Sequence, residues 1–275
     1  MKTLAFGETL WDIFGESSCI GGAAFNVAAH IAKLGAESHL VSAVGEDELG
    51  KKALDAAKGF GIETDFIGSD KTLPTGTVTV QLSADGQPSY TIHENVAWDA
   101  IAPSESDLQK ISSGNWDFFI FGTLAQRSEK NRESLKSILE SLPLSTRIVF
   151  DINLRQHFHS PAWIASSKLH ANILKIKEDE AKYLAGLFMK REATNRELGE
   201  FLVKKFSMEA AIITLGGAGA CAFSAAEGWI EAPGIKVKVA DTVGAGDSFT
   251  AATLFALSKG KKLSEAMNFG IEMGG

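Results

Sequence analysis

Along most of this 275-residue chain, short apolar runs alternate with amphipathic stretches. That alternation restricts the fold more than any other feature. Thr3–Gly7, His39–Gly45, Asp117–Gly122, Arg147–Asp151, Asn172–Ile176 and Ala211–Gly217 are mostly continuous apolar runs, the pattern of strands covered on both faces. Between them lie segments with helical spacing. Residues 23–35 place Val27, Ile31 and Leu34 on one face, with Gly35 suited to the C-terminal cap. Residues 47–61 open on acids and end near glycine. Residues 128–142 carry Leu135, Ile138 and Leu142 at helical spacing; 193–206 and 247–260 follow the same logic. Strand–helix alternation of this kind predicts an α/β fold, a largely parallel sheet with helices on both faces. The absence of a long linker points to one main domain over 1–275.

One stretch breaks the pattern. Gly76–Asp99 alternates with period two, through Val78, Val80 and Leu82 and then Tyr90 and Ile92, with Asp85-Gly86 as the turn. This predicts a β-hairpin, either a lid or interface or an edge hairpin of the main sheet.

The formal net charge of −7 argues against nucleic acid or an anionic membrane as partner. It leaves room for an anionic substrate in a locally positive site. Two cysteines, Cys19 and Cys221, cannot make a disulfide framework or a four-ligand zinc site. The first residues do not read as a signal peptide, and no apolar run approaches the roughly 20 residues that span a bilayer. A cytoplasmic protein is expected.

The segment DTVGAGDSF, Asp241–Phe249, carries the chemistry. Gly244 and Gly246 allow close backbone approach. With a helix over 247–258, the amides of 244–247 would face outward as an anion site at its positive end. No Lys-Ser/Thr follows the glycines, so this is not a nucleotide loop of that type. Asp247 would sit at or near the N-cap. It could simply cap the helix, or accept a proton from an attacking hydroxyl beside the anion site. The nonapeptide alone leaves both open.

DTVGAGDSF resembles the C-terminal signature of the ribokinase-like, phosphofructokinase-B type sugar kinases. Gly21–Ala28 (GGAAFNVA) resembles their first signature. VSAVGEDELG at 41–50, DINLR at 151–155 and TLGGAG at 214–219 are similar to further family blocks, in family order. GETLWDIF at 7–14, AWD at 97–99 and FGTLAQR at 121–127 lean towards fructokinases. The resemblance implies a three-layer α/β/α fold with a small β lid near 9–20 and 74–97, which would also offer a homodimer surface. It implies ATP and Mg2+ as cofactors, with K+ in some members, and transfer of the γ-phosphate to a small sugar, fructose first. Other family sugar kinases (ketodeoxygluconate, ribose), nucleoside kinases, and a sugar- or nucleotide-binding protein with little turnover are the alternatives.

The resemblance also implies residue roles. Asp247 would be the catalytic base, with Gly244, Ala245 and Gly246 as the anion hole. Asp12, Gly22, Asn26 and Arg155 would face the sugar; an ion pair with Asp151 is the structural alternative for Arg155. For Arg127 a salt bridge is as well supported as a site role. Thr214, Gly216, Gly217, Gly219 and Asn268 would border the nucleotide. Glu180 would be linked indirectly to Mg2+, and Asp241 to a monovalent cation. Two departures stand out. Lys177 occupies the position where the family's Asn-x-x-Glu motif has asparagine. The sequence stops at GIEMGG, where relatives usually continue, so a less complete adenine pocket is expected.

Overall fold

The computed structural model describes residues 1–82, 88–235 and 244–274. The chain begins with β1 (Lys2–Phe6), β2 (Leu10–Phe14) and β3 (Ser17–Gly21), then α1 (Ala23–Lys33), β4 (Glu37–Gly45) and α2 (Glu48–Phe60). Short strands β5 (Ile62–Glu63) and β6 (Ile67–Asp70) precede β7 (Gly76–Leu82) and β8 (Pro88–Ile92). Next come α3 (Glu105–Ser113), β9 (Phe118–Gly122), α4 (Glu129–Ser141), β10 (Arg147–Asp151), α5 (Pro161–Ser167), β11 (Ile173–Lys177) and α6 (Glu178–Leu184). The last third holds α7 (Asn195–Phe206), β12 (Ala210–Thr214), β13 (Gly219–Ser224), β14 (Gly228–Pro233), α8 (Ala245–Ser258) and α9 (Leu263–Gly274).

Ten of the described strands form the main sheet, in the order β14-β13-β12-β11-β10-β9-β1-β4-β5 with β6 also on β4. From β12 to β5 the pairing is parallel. β12–β13 and β13–β14 are antiparallel. The six predicted core strands are all present, within a few residues of their expected limits. Their continuous hydrophobicity follows from burial on both faces: Leu4 and Phe6 join one core cluster, Ala5 and Leu40 another. A third cluster places Val27 and Ile31 of α1 against Ile120, Val149, Phe249 and Leu254, so α1 and α8 cover the same sheet face. Gly35, at φ +80, follows α1 and donates its N–H to the Ala32 carbonyl, a left-handed helix end.

The predicted hairpin is not an edge of the main sheet. β7 and β8 join β2 and β3 in a separate four-stranded sheet, ordered β3-β2-β7-β8. Its inner face buries Leu10, Val78 and Ile92 against Val96, Trp98, Leu124 and Phe158. The expected turn at Asp85-Gly86 lies outside the described residues. No helix among the described residues is long and apolar enough to cross a membrane.

Two features fix where a ligand can bind. The chain leaves β1 towards β4 on one side, while β9 flanks β1 on the other. In such sheets the crevice beyond the carboxyl ends of the strands, at the reversal, is the natural binding place. The small sheet is built from the segment just after β1 and the segment before α3, so it stands beside that crevice.

Candidate active site

At the end of β1, the chain passes through Gly7 to Glu8, whose side chain is buried. Glu8 Oε1 accepts the N–H of Ala23, the first residue of α1, at 2.8 Å. Gly22, the N-cap, has φ +109 and no side-chain cap of its own. Glu8 therefore caps α1 from another segment. A Cβ on Gly22 would run into the Glu8 carbonyl oxygen, so only glycine fits this approach. Burial pushes the Glu8 carboxyl above the usual range, while its backbone hydrogen bonds and the charges of Arg155 and Arg127 oppose that.

One turn along α1, Asn26 Nδ2 donates to Asp247 Oδ2 at 2.9 Å. The structure corrects the expected place of Asp247. Helix α8 starts at Ala245, and Gly244 is its N-cap, with φ +79 and no side-chain cap. Asp247 is the third residue of the helix, and its bonded partner is Asn26 rather than the helix end. It is 8% exposed. Burial pushes its carboxyl from an ordinary 3.8 up to about 6; the Asn26 hydrogen bond, Lys175 and Arg155 pull down, and Asp151 pushes up. That leaves a carboxylate poised to take a proton near neutral pH. Around it, Gly244, Ala245 and Gly246 form the first turn, where helix amides lack internal partners.

Beneath this turn lies a buried ion pair. Asp151 and Lys175 are register neighbours on β10 and β11. Lys175 Nζ is 3.1 Å from both carboxylate oxygens of Asp151. Thr250 Oγ1 donates towards Asp151 Oδ2 at 3.3 Å and lies 2.9 Å from the Gly246 carbonyl. A Cβ on Gly246 would come 3.4 Å from Lys175 Nζ. The sequence reading has Asp151 in the DINLR motif and as a candidate ion-pair partner of Arg155, and assigns no role to Lys175 or Glu8. The available signal was ILKIK, in which a lysine interrupts a strand buried on both faces and so requires a buried partner.

A pocket opens beside Ala23, Ala24 and Val27 of α1, about 400 Å3 with its open mouth counted. Glu8, Ala23, Thr123, Asp151, Asn153 and Arg155 are among its lining residues. Arg155 is not paired with Asp151. Its guanidinium donates to Asn153 Oδ1 at 2.6 Å. Asn153 holds φ +46 and Gln156 φ +47, left-handed conformations uncommon outside glycine. Gln156 Nε2 then donates to the Tyr90 carbonyl of β8 at 2.7 Å, tying this loop to the small sheet. Asp12, on β2, has its carboxyl pushed up by burial and drawn back by Arg155, which places it within that arginine's field. Arg127, by contrast, is held in a structural pair. It bonds Asp99 at 2.7 and 2.8 Å and the His93 carbonyl at 2.6 Å, and stacks over Trp98.

The expected nucleotide-side residues lie farther along the sheet. Thr214 ends β12 and donates to the Ile176 carbonyl at 3.3 Å. Gly216 at φ +57 and Gly219 at φ +101 shape the turn into β13, with Gly217 between them. Asn268 is exposed on α9, which is tied to α8 where Ser248 Oγ donates to the Met273 carbonyl at 2.8 Å. Glu180 is buried and caps two backbone groups: Oε1 accepts Leu154 N–H at 2.6 Å and Oε2 accepts Lys177 N–H at 2.7 Å. Burial raises the Glu180 carboxyl and lowers the Lys177 amine. Asp241 lies outside the described residues.

These geometries can be set beside known proteins. The family described as pfkB family carbohydrate kinase matches residues 7–275. An aminoimidazole riboside kinase of Salmonella typhimurium is 29% identical over 269 residues, covering 94% of this chain and 81% of that protein. A probable fructokinase-5 of Arabidopsis thaliana is 27% identical over 295 residues, covering 97% of this chain and 88% of its own. The crystal structure of an uncharacterized sugar kinase of Pyrococcus horikoshii in complex with ATP superposes with a TM-score of 0.82 at 25% identity, covering 99% of this chain and 90% of that one. With a match that runs from the end of β1 to the last helix, the chain belongs to the pfkB family of carbohydrate kinases and is a sugar or nucleoside kinase of ribokinase-like fold.

Proposed function

We propose that this enzyme phosphorylates a small sugar, D-fructose first, at the expense of ATP, with Asp247 as the general base. The observation that carries this reading is the state of Asp247: buried, bonded to Asn26, raised to about 6, and set in the first turn of α8. A carboxylate there can take the proton of an attacking hydroxyl while the amides of Gly244, Ala245 and Gly246 stabilise charge on the transferring phosphoryl group. The sugar would lie in the pocket by Gly22 and Asn26, with Arg155 and Asp12 as polar contacts. Thr214, Gly216, Gly217, Gly219 and Asn268 would border the nucleotide on the β12–β13 side.

The donor set fits Mg2+ held mainly by phosphates and water. Among the described residues no cluster of three metal-ligating side chains occurs, and Mg2+ tolerates few protein ligands. Glu180 spends one lone pair of each oxygen on the backbone and keeps others for water. Lys177, half-buried beside it, could reach phosphate directly. When bound, the metal would neutralise phosphate charge.

We read the small sheet as a lid. Closing it over the pocket would exclude water and direct the phosphoryl group to the sugar. Phe14 and Tyr90 are 43% and 45% exposed on it, which suits a second copy of the chain as partner.

A second reading, a nucleoside-type acceptor, is supported by the aminoimidazole riboside kinase relative. Coupled ADP release with Mg2+ over fructose, ribose, 2-keto-3-deoxygluconate and aminoimidazole riboside tests both. Fastest turnover on fructose is expected. Fastest turnover on the riboside would replace fructose by the second reading, and background rates with calorimetric sugar binding would replace catalysis by sensing.

A further inference from the structure

The buried pair Lys175–Asp151 is assigned no step in the proposed phosphoryl transfer, although Asp151 lines the pocket, and it touches the element that carries that chemistry. Lys175 is 2% exposed and Asp151 6%. A lysine so deep, inside a strand covered on both faces, is costly unless it is paired and bonded. Its partner is the register neighbour on β10, and the contacts continue upward. The Thr250 hydroxyl, one turn into α8, stands 2.9 Å from the Gly246 carbonyl and 3.3 Å from Asp151 Oδ2, and its single proton is shared between these two acceptors. The Lys175 ammonium itself lies beside the backbone of Gly246, close enough that a Cβ there would touch it at 3.4 Å. The chain of contacts therefore runs from two strand ends into the first turn of α8, one residue before Asp247.

We propose that Lys175 is a positioning residue for the phosphoryl-transfer site: paired with Asp151 and bridged through Thr250, it anchors the first turn of α8 to the ends of β10 and β11 and holds Asp247 in register with Asn26. The lysine also supplies a fixed positive charge below the turn whose amides face the anion. The anchoring comes from the strands, because no side chain caps α8. The proposal rests on the placement of Asp247 as base, and the experiment separates the two.

The groups facing Asp247 are Asn26 from α1, Asp151 from β10, Lys175 from β11 and Arg155 from the following loop. Two NMR signals report on the register without any substrate: the Asn26 side-chain amide, shifted by its bond to the carboxylate, and the titration of Asp247, identified by its loss in Asp247→Asn. In Lys175→Met, the Asn26 signal should move towards that of a free amide and the Asp247 midpoint should rise by about half a unit or more. The value of kcat with fructose and MgATP should fall at least about tenfold, with the sugar KM changed less than about threefold. Because Lys175→Met strands a buried carboxylate, Asp151→Asn/Lys175→Met is the companion variant, with both charges removed. It should fold and still show the altered Asn26 signal. A folded double variant with the wild-type Asn26 signal, or a folded Lys175→Met with wild-type midpoint, overturns the proposal. Full activity in Asp247→Asn would instead overturn the base, leaving the Asn26 signal to decide the anchoring.

Discussion

Replacing Asp247 by asparagine should make the protein more stable and nearly inactive, and the two effects follow from one fact. The carboxyl is buried, and its value is pushed from 3.8 to about 6. A shift of about two units corresponds to about 3 kcal/mol of preference for the neutral form. The sign follows from linkage. The folded value lies above the unfolded one, so wild type is favoured fully below the unfolded value and loses that stability as pH rises through about 6. At pH 7 the folded protein carries an ionised Asp247 at nearly the full cost. Asparagine has no charge to bury and can still bond Asn26. The variant should therefore gain roughly 2–3 kcal/mol at pH 7, several degrees in Tm for a chain of this size. The gain should vanish near pH 4 and grow between about pH 4 and 6. Loss of the base should lower kcat at least about 100-fold. Thermal unfolding from pH 4 to 8, beside coupled ADP release, reads both. A stability difference independent of pH would refute the burial argument, and an unchanged kcat would refute the catalytic one.

Asn26→Leu removes the charge-assisted bond that holds Asp247 down, so the acid limb of kcat/KM should move up by about one unit; an unshifted limb in the pH–rate profile would contradict this. Gly22→Ala forces a side chain into φ +109 and against the Glu8 carbonyl. It should cost about 1–3 kcal/mol in denaturant unfolding and raise the sugar KM more than the ATP KM. Arg127→Ala leaves Asp99 without its cation and Trp98 without its stacked partner. A loss of about 3–5 kcal/mol in urea unfolding is expected, with the sugar KM of the remaining folded enzyme little changed.

The parallel core was legible because its strands are continuous apolar runs and its helices carry one apolar face. Val27, Ile31, Leu135 and Ile138 all pack as their spacing requires. The β13–β14 hairpin escaped notice because GACAFS offers small residues rather than β-branched ones. The helix expected from Asp247 begins two residues earlier, at Ala245, since Gly244 itself takes the left-handed N-cap. Asp151, Lys175 and Thr250 could not be joined from sequence. Their connection depends on strand register across β10 and β11 and on which helix lies over it, and neither is encoded locally. Arg127 shows the reverse case, an arginine in a site-like motif whose Nε and Nη2 are taken by Asp99 and a backbone carbonyl.

Asn26 and Asp247 stand 221 residues apart. During synthesis at about 5–20 residues per second, the asparagine leaves the ribosome roughly 10–45 s before its partner. Throughout that interval the emerging polypeptide owns the turn that would cradle a sugar but lacks the group that would activate it. On the proposed role of Asp247 as base, phosphoryl transfer cannot precede the arrival of α8. On that reading the site is completed only when α8 docks on α1, where Asn26 meets Asp247.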